Sequence, residues 1–179
     1  VRWIAPVLSY TAEEIWQQMG GEREDSVFMA TWYEGLFTLD HPDKDRAHWQ
    51  QLIAVRDEVS KATEQLRVGG EAGSSLAMEA KVWADGAVAE ALEWCDDELR
   101  FLLITSEATF ANLEDAPEDV EVIKVEGSQV AVAVQASIHP KCVRCWHQRE
   151  DVGESAEHSE LCGRCIENVT STGETRRIA

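Results

Sequence analysis

"KCVRCWHQREDVGESAEHSELCGRCIENV", residues 141–169, holds four of the five cysteines of this 179-residue chain. They form two Cys-x-x-Cys pairs, Cys142/Cys145 and Cys162/Cys165, with sixteen residues between the pairs. That separation lies in the range of about 15–20 residues that marks a four-cysteine zinc site. A Cys-x-x-Cys turn aims two thiolates at one point while its backbone amides soften their charge, and two such turns complete the tetrahedron that Zn²⁺ prefers. Gly163 suits the tight turn of the second pair. A segment this short and polar has almost no apolar core, so the metal carries its folding energy. Cys142, Cys145, Cys162 and Cys165 are therefore expected to hold one structural Zn²⁺ in a closed site.

Three other chemistries use the same residue type. Disulfides need an oxidising compartment, and nothing in the sequence points to secretion. A redox Cys-x-x-Cys usually stands alone at a helix start; here there are two matched pairs. A catalytic zinc deaminase wants His-x-Glu ahead of Pro-Cys-x-x-Cys. His158-Ser159-Glu160 follows the first pair, and Lys141 precedes Cys142. His139, His147 and His158 read as surface groups or neighbours of the ligands. Trp146 either shields the sulfurs, the favoured reading, or offers a face on which a base stacks. Lys141, Arg144, Arg149, Arg164, Arg176 and Arg177 suit phosphate contacts or simple solubility.

The formal net charge of −18 opposes nucleic-acid binding by the chain as a whole. It is unevenly spread: residues 1–138 carry 10 basic and 27 acidic side chains, residues 139–179 carry 6 and 7. Charge thus favours the tail as any RNA-facing part. No apolar run is long enough to span a membrane, and no basic-then-apolar leader is present. The first residue, Val1, opens inside a patterned apolar segment, so the sequence reads as a piece of a longer chain.

Working back from the cysteines, "DVEVIKVEGSQVAVAVQAS" predicts two strands about a turn at Glu126-Gly127-Ser128, and "RFLLIT" a buried strand. Asp85-Gly86 leads into a short helix from Ala87 to about Cys95, whose thiol reads as core. "SLAMEAKVWA" alternates Leu76, Met78, Ala80 and Val82 as a strand does. Residues 43–67 predict a long amphipathic helix with Leu52, Val55, Val59, Ala62 and Leu66 on one stripe. At the start, Ile4, Leu8, Ala12, Ile15 and Met19 have helical spacing. Pro6 makes a bend, and Thr11 with Glu14 makes a capping box for a helix from about Ala12 to Met19. Trp32, Tyr33 and Phe37 are expected to pack back onto these helices. The acidic pairs Glu13-Glu14 and Asp96-Asp97 are not an acid/base dyad, because neighbouring helical positions point apart. No phosphate loop, nucleophile elbow or Walker motif is present.

Two stretches together resemble a known family. "APVLSYTAEEIW", residues 5–16, is similar to the end of the helical anticodon-binding domain of the class I synthetases for isoleucine, valine and leucine. The cysteine segment resembles the C-terminal zinc module of bacterial isoleucyl-tRNA synthetases, itself related to the finger of formamidopyrimidine-DNA glycosylases. "WYEGLF", "VRDEV", "DELRFLLITSEATF" and "GETRRIA" extend the likeness in order along the chain. The resemblance implies a multi-part α+β fold. Its parts are the end of a helical anticodon-binding bundle (1–38), a small mixed α/β junction domain with a long amphipathic helix (39–138), and a four-cysteine zinc-ribbon-like module (139–179). It implies a cytoplasmic, monomeric enzyme that meets no membrane. That enzyme uses ATP and Mg²⁺ to activate isoleucine and passes it to tRNA(Ile), with editing in a separate domain. Its catalytic signatures are not in these residues, so this piece is expected to recognise tRNA beside the rest of its own chain without catalysing. Of the family's functional positions, the four cysteines are the ones matched. The alternatives are a purely structural zinc module and a glycosylase-type DNA-binding finger; the latter fits poorly with an acidic chain that carries strands before the finger.

Overall fold

The computed structural model describes residues 1–36, 44 and 46–178. The chain divides into two compact units, Val1–Pro42 and Asp43–Ala179.

In the first unit, successive turns over residues 2–8 lead into helix α1, Ser9–Gln18. The helix starts three residues earlier than the capping-box reading places it. Thr11 lies inside the first turn and no side chain caps the amides; Ser9 Oγ instead donates back to the Ala5 carbonyl at 3.1 Å. The apolar face is also rotated. Ala5, Ala12 and Trp16 are buried with Val27, whereas Ile4, Leu8, Ile15 and Met19 are exposed. The indole sets this choice: Trp16 Nε1 donates to the Glu24 carbonyl at 2.8 Å, which fixes the ring inward. Glu13 secures the following loop by accepting from Ser26 Oγ and from the Val27 amide, both at 2.9 Å. Trp32 and Tyr33 fold back without being buried: Tyr33 lines a cavity with Trp16 and Met19, Trp32 one with Ala5 and Pro6, and both stay more than half exposed. Phe37 lies outside the described residues, as do the first residue of the expected long helix and the expected 38/39 boundary.

The second unit is built on helix α2, Arg46–Val68. Its stripe of Leu52, Val55 and Val59 is fully buried, and Thr63 continues it by returning its hydroxyl to the Val59 carbonyl. The helix ends with the Glu71 amide on the Leu66 carbonyl and the Gly70 amide on the Arg67 carbonyl, a Schellman closure. Strand β1, Met78–Ala84, follows, then α3, Gly86–Cys95, α4, Leu99–Leu103, and β2, Glu107–Asn112. A hairpin of β3, Val122–Val125, and β4, Ser128–Ala136, completes the sheet in the order β2-β1-β4-β3. Glu126 and Gly127 both have positive φ, as a two-residue hairpin turn requires.

The sheet is mixed. β1 runs parallel to β2, with Ala80 opposite Ala108, and antiparallel to β4, with Val82 opposite Val132. Parallel neighbours need a crossover, and α3 and α4 supply it. Alternate β1 residues Ala80, Val82 and Ala84 meet Leu52, Val55 and Val59 of α2 and Val88, Ala91, Leu92 and Cys95 of α3 in one core.

"RFLLIT" is not a strand. Residues 100–103 belong to α4, which buries Leu99 and Leu103 one turn apart and stops where Ile104 turns left-handed at φ 57°. A short apolar run has no period that separates strand from buried helix. The strand comes after it, as β2. Among the described residues no helix is long and apolar enough to cross a membrane.

Candidate metal centre

The first cysteine pair sits on a small knuckle. The Cys142 amide donates to the His147 carbonyl and the Trp146 amide to the Cys142 carbonyl, both at 2.9 Å, and Lys141 bridges to Gln148. The second pair opens helix α5, Gly163–Thr170, for which Cys162 is the N-cap residue. The Cys165 amide at this helix start donates toward the Cys162 sulfur and opposes part of the cost of its burial. The Gly163 amide donates to Asp151 Oδ2 at 2.8 Å, and a Cβ at this glycine would lie 2.9 Å from that same oxygen. A side chain at this position would have to displace that carboxylate, and no strained turn calls for glycine, since its φ is not positive.

These two elements bring all four sulfurs together. The Sγ atoms of Cys142, Cys145, Cys162 and Cys165 lie within 4.8 Å of one another, and Cys145 and Cys162 are 3.7 Å apart. A tetrahedral zinc–thiolate centre with bonds of about 2.3 Å separates its sulfurs by about 3.8 Å, so the cluster fits the ion with little adjustment. All four are free thiols, and three are buried.

Their proton affinities are pulled apart. Burial raises the Cys142 thiol, but the backbone amides of Cys145, Cys162 and Arg144 outweigh it and bring the group down to about 6. Burial pushes Cys162 up to about 12 and raises Cys165 as well, with the neighbouring Cys145 sulfur adding to both. Four crowded sulfurs cannot all ionise without a cation between them, and a divalent ion supplies that charge.

None of the three histidines joins the sulfur cluster. His139 Nε2 lies 3.7 Å from Glu79 Oε1. The His158 backbone amide donates to Ser155 Oγ at 3.3 Å in a local turn. His147 is buried beside Phe101; burial, then the charges of Arg164 and Arg100, lower it to about 4, so its ring is neutral near pH 7. Trp146 does not shield the sulfurs. It is 60% exposed and left-handed at φ 68°, with Lys141 Nζ 4.8 Å from its ring.

Most of the expected phosphate-contacting arginines are bonded inside the fold. Arg149 pairs with Glu107 and donates to the Ser106 carbonyl. Arg164 and Arg176 share Glu174, at 3.1 and 3.0 Å, and both lie over the Phe101 ring. The Arg177 and Ile178 amides donate to the two carboxylate oxygens of Glu98, each at 2.6 Å. Sequence reasoning missed the other side of this contact. Ser106, 0% exposed, donates its hydroxyl to the Leu76 carbonyl and accepts the Gln148 amide at 2.6 Å. Ser106, Glu107 and Phe101 thereby anchor the cysteine module to the sheet, and no local spacing marks them.

Comparison with known proteins gives matches in the same order. Residues 1–82 match the anticodon-binding domain of tRNA ligase, and residues 140–168 match the zinc finger found in FPG and IleRS. The chain is 51% identical to the isoleucine–tRNA ligase of Methylococcus capsulatus over 177 residues, 98% of this chain and 19% of that protein. It is 51% identical to that of Alkalilimnicola ehrlichii over 181 residues, and 47% identical to that of Pseudomonas aeruginosa over 180. It therefore spans about a fifth of the length of these relatives. The zinc-finger match and the four-sulfur cluster support one structural zinc. A glycosylase finger is disfavoured, because the same chain carries the anticodon-domain match and whole-length similarity to the ligases. The chain belongs to the isoleucine–tRNA ligase family and corresponds to the C-terminal part of its members, the anticodon-binding and zinc-finger region.

Proposed function

We propose that this chain serves tRNA(Ile) recognition within an isoleucine–tRNA ligase, and that Cys142, Cys145, Cys162 and Cys165 ligate its one structural Zn²⁺. Activation of isoleucine with ATP and Mg²⁺, and its transfer to tRNA, belong to the full-length enzyme, a cytoplasmic monomer. This piece contributes binding rather than catalysis. Its working parts are the end of the anticodon-binding bundle at 1–38, the junction domain at 39–138 and the zinc module at 139–179. The observation that carries the reading is the occurrence, in one chain and in order, of an anticodon-domain match and a zinc-finger match whose four sulfurs converge.

Within the module, exposed Trp146 with Lys141 over its ring is the feature best suited to a base and its phosphate. A left-handed tryptophan costs about 1–2 kcal/mol, and such strain is a mark of functional positions. The interior arginines favour a structural contribution alongside, since Arg149, Arg164 and Arg177 are bonded to the junction domain or to the tail.

The test is to delete residues 139–179 from the full-length enzyme. Recognition predicts that tRNA charging falls while isoleucine-dependent ATP–pyrophosphate exchange persists. Normal charging by the truncated enzyme would refute it.

A further inference from the structure

Two guanidinium groups reach the sulfur cluster. Arg144 Nη1 donates to Cys165 Sγ at 3.5 Å. Arg164, in the first turn of α5, lines the same small polar cavity as Cys145 and Cys162. The pattern is reciprocal. Each arginine is the third residue of one Cys-x-x-Cys pair, and each faces the last cysteine of the other pair, Arg144 through a hydrogen bond and Arg164 across the cavity.

Four thiolates around a divalent cation leave a net charge of about −2, and this charge is largely buried here. Arg144 opposes it with one positive charge, and the Arg164–Glu174–Arg176 group, net +1, supplies the other. Arginine suits the task better than lysine, because its planar fork donates in fixed directions and is more weakly hydrated. The cavity between them is no ready site for a free oxyanion. Arg149 is committed to Glu107, Arg164 to Glu174, and the Asp151 carboxylate lines the wall.

We infer that Arg144 and Arg164 form a crossed pair that neutralises the metal–thiolate centre and ties its two turns together, which makes them determinants of zinc retention. The inference rests on the ligand assignment proposed above. It goes beyond that assignment by giving two residues suited to phosphate a role at the metal.

Arg144→Met, Arg164→Met, the double variant and Arg164→Lys, made in the full-length protein, test it. Two quantities are read: the rate of zinc release to a chromogenic chelator, and the thiolate-to-metal charge-transfer bands after Co²⁺ replaces Zn²⁺. Loss of one such partner is expected to weaken zinc retention about 10- to 100-fold. The double variant should exceed either single one, and Arg164→Lys should fall between. The cobalt bands should move to lower energy as the sulfur lone pairs lose their donors. Arg144 is exposed, so its variant keeps the fold and decides the matter even where Arg164→Met misfolds. Arg177→Met, which loosens the tail where that guanidinium meets the Trp94 carbonyl and touches neither arginine at the sulfurs, should leave the bands in place. Wild-type zinc release and unshifted bands in Arg144→Met overturn the inference. Zinc retained at wild-type level by Cys162→Ser with Cys165→Ser overturns the ligand assignment instead, and the two failures are distinct.

Discussion

Ser106→Ala is the sharpest probe of how the cysteine module is held to the sheet. The side chain is fully buried and its hydroxyl serves two masters, the Leu76 carbonyl and the Gln148 amide. Alanine keeps the packing and deletes both bonds. A buried group left without a partner costs about 1–3 kcal/mol. Leu76 and Gln148 are only half-buried, so water reaches them in part and the low end applies to each. The sum is roughly 2–3 kcal/mol. Arg149 still reaches the Ser106 carbonyl, so the module stays in place but opens more often. Amide hydrogen exchange at Gln148 reads that opening directly. Its protection should fall about 30- to 150-fold, since about 1.4 kcal/mol is a factor of ten. Amides of the central strand, such as Val82, should keep their protection. A loss below about threefold at Gln148 would mean that the hydroxyl does not anchor the module, and the docking argument would fail.

Other perturbations separate the layers of the structure. Leu52→Ala, at 0% exposure in the core between helix and sheet, should cost about 2–5 kcal/mol in denaturant unfolding; a loss under about 1 kcal/mol would contradict the assigned core. Burial alone would raise Glu174, but Arg176, Asn168 and Arg164 hold it below the ordinary 4.5. Its share of stability is therefore complete above that value and lost as pH falls through the lower folded one. Tail protection in exchange experiments should weaken over that acid range, and Glu174→Gln should remove that part of the pH dependence. Trp146→Gly relieves a left-handed side chain but frees the unfolded backbone, so unfolding stability should change by less than about 1 kcal/mol. If a base stacks there, affinity for tRNA should fall about 5- to 150-fold, the equivalent of about 1–3 kcal/mol; unchanged affinity removes Trp146 from the interface.

The sequence was most legible where a residue acts on near neighbours. The two Cys-x-x-Cys pairs and their spacing suffice to place four sulfurs within 4.8 Å of one another, because each turn sets its own geometry. The α2 stripe, β1 and the Glu126-Gly127 hairpin follow from period and turn chemistry in the same way. Prediction failed where a distant partner decided the outcome. α1 has two plausible apolar faces, and the Trp16–Glu24 bond selects the one with Ala5 and Ala12. "RFLLIT" carries no period, and burial of Leu99 and Leu103 in a core made by α2 and α3 turns it into helix. "EATFAN" reads poorly as a strand, yet it pairs along its whole length with β1.

Charge shows the same division. The tail has six basic side chains against seven acidic ones, and counting alone offers all six to a partner. The fold distributes them differently. Arg149 goes to Glu107 on β2, Arg164 to Glu174, and Arg177 to the Trp94 carbonyl. Arg144 turns to a sulfur. Lys141 remains at the surface, over Trp146. The near-neutral charge of the module is therefore chiefly internal bonding. Ser106, Glu107, Phe101 and Glu98 receive it on the junction-domain side. Among the described residues, the core of the α/β unit draws on this segment for Ile178 alone. Zinc binding and docking thus stabilise the module and its tail, while the sheet rests on a core of its own. Removing the metal should release residues 139–178 from the face around Phe101 and leave the β1 register intact.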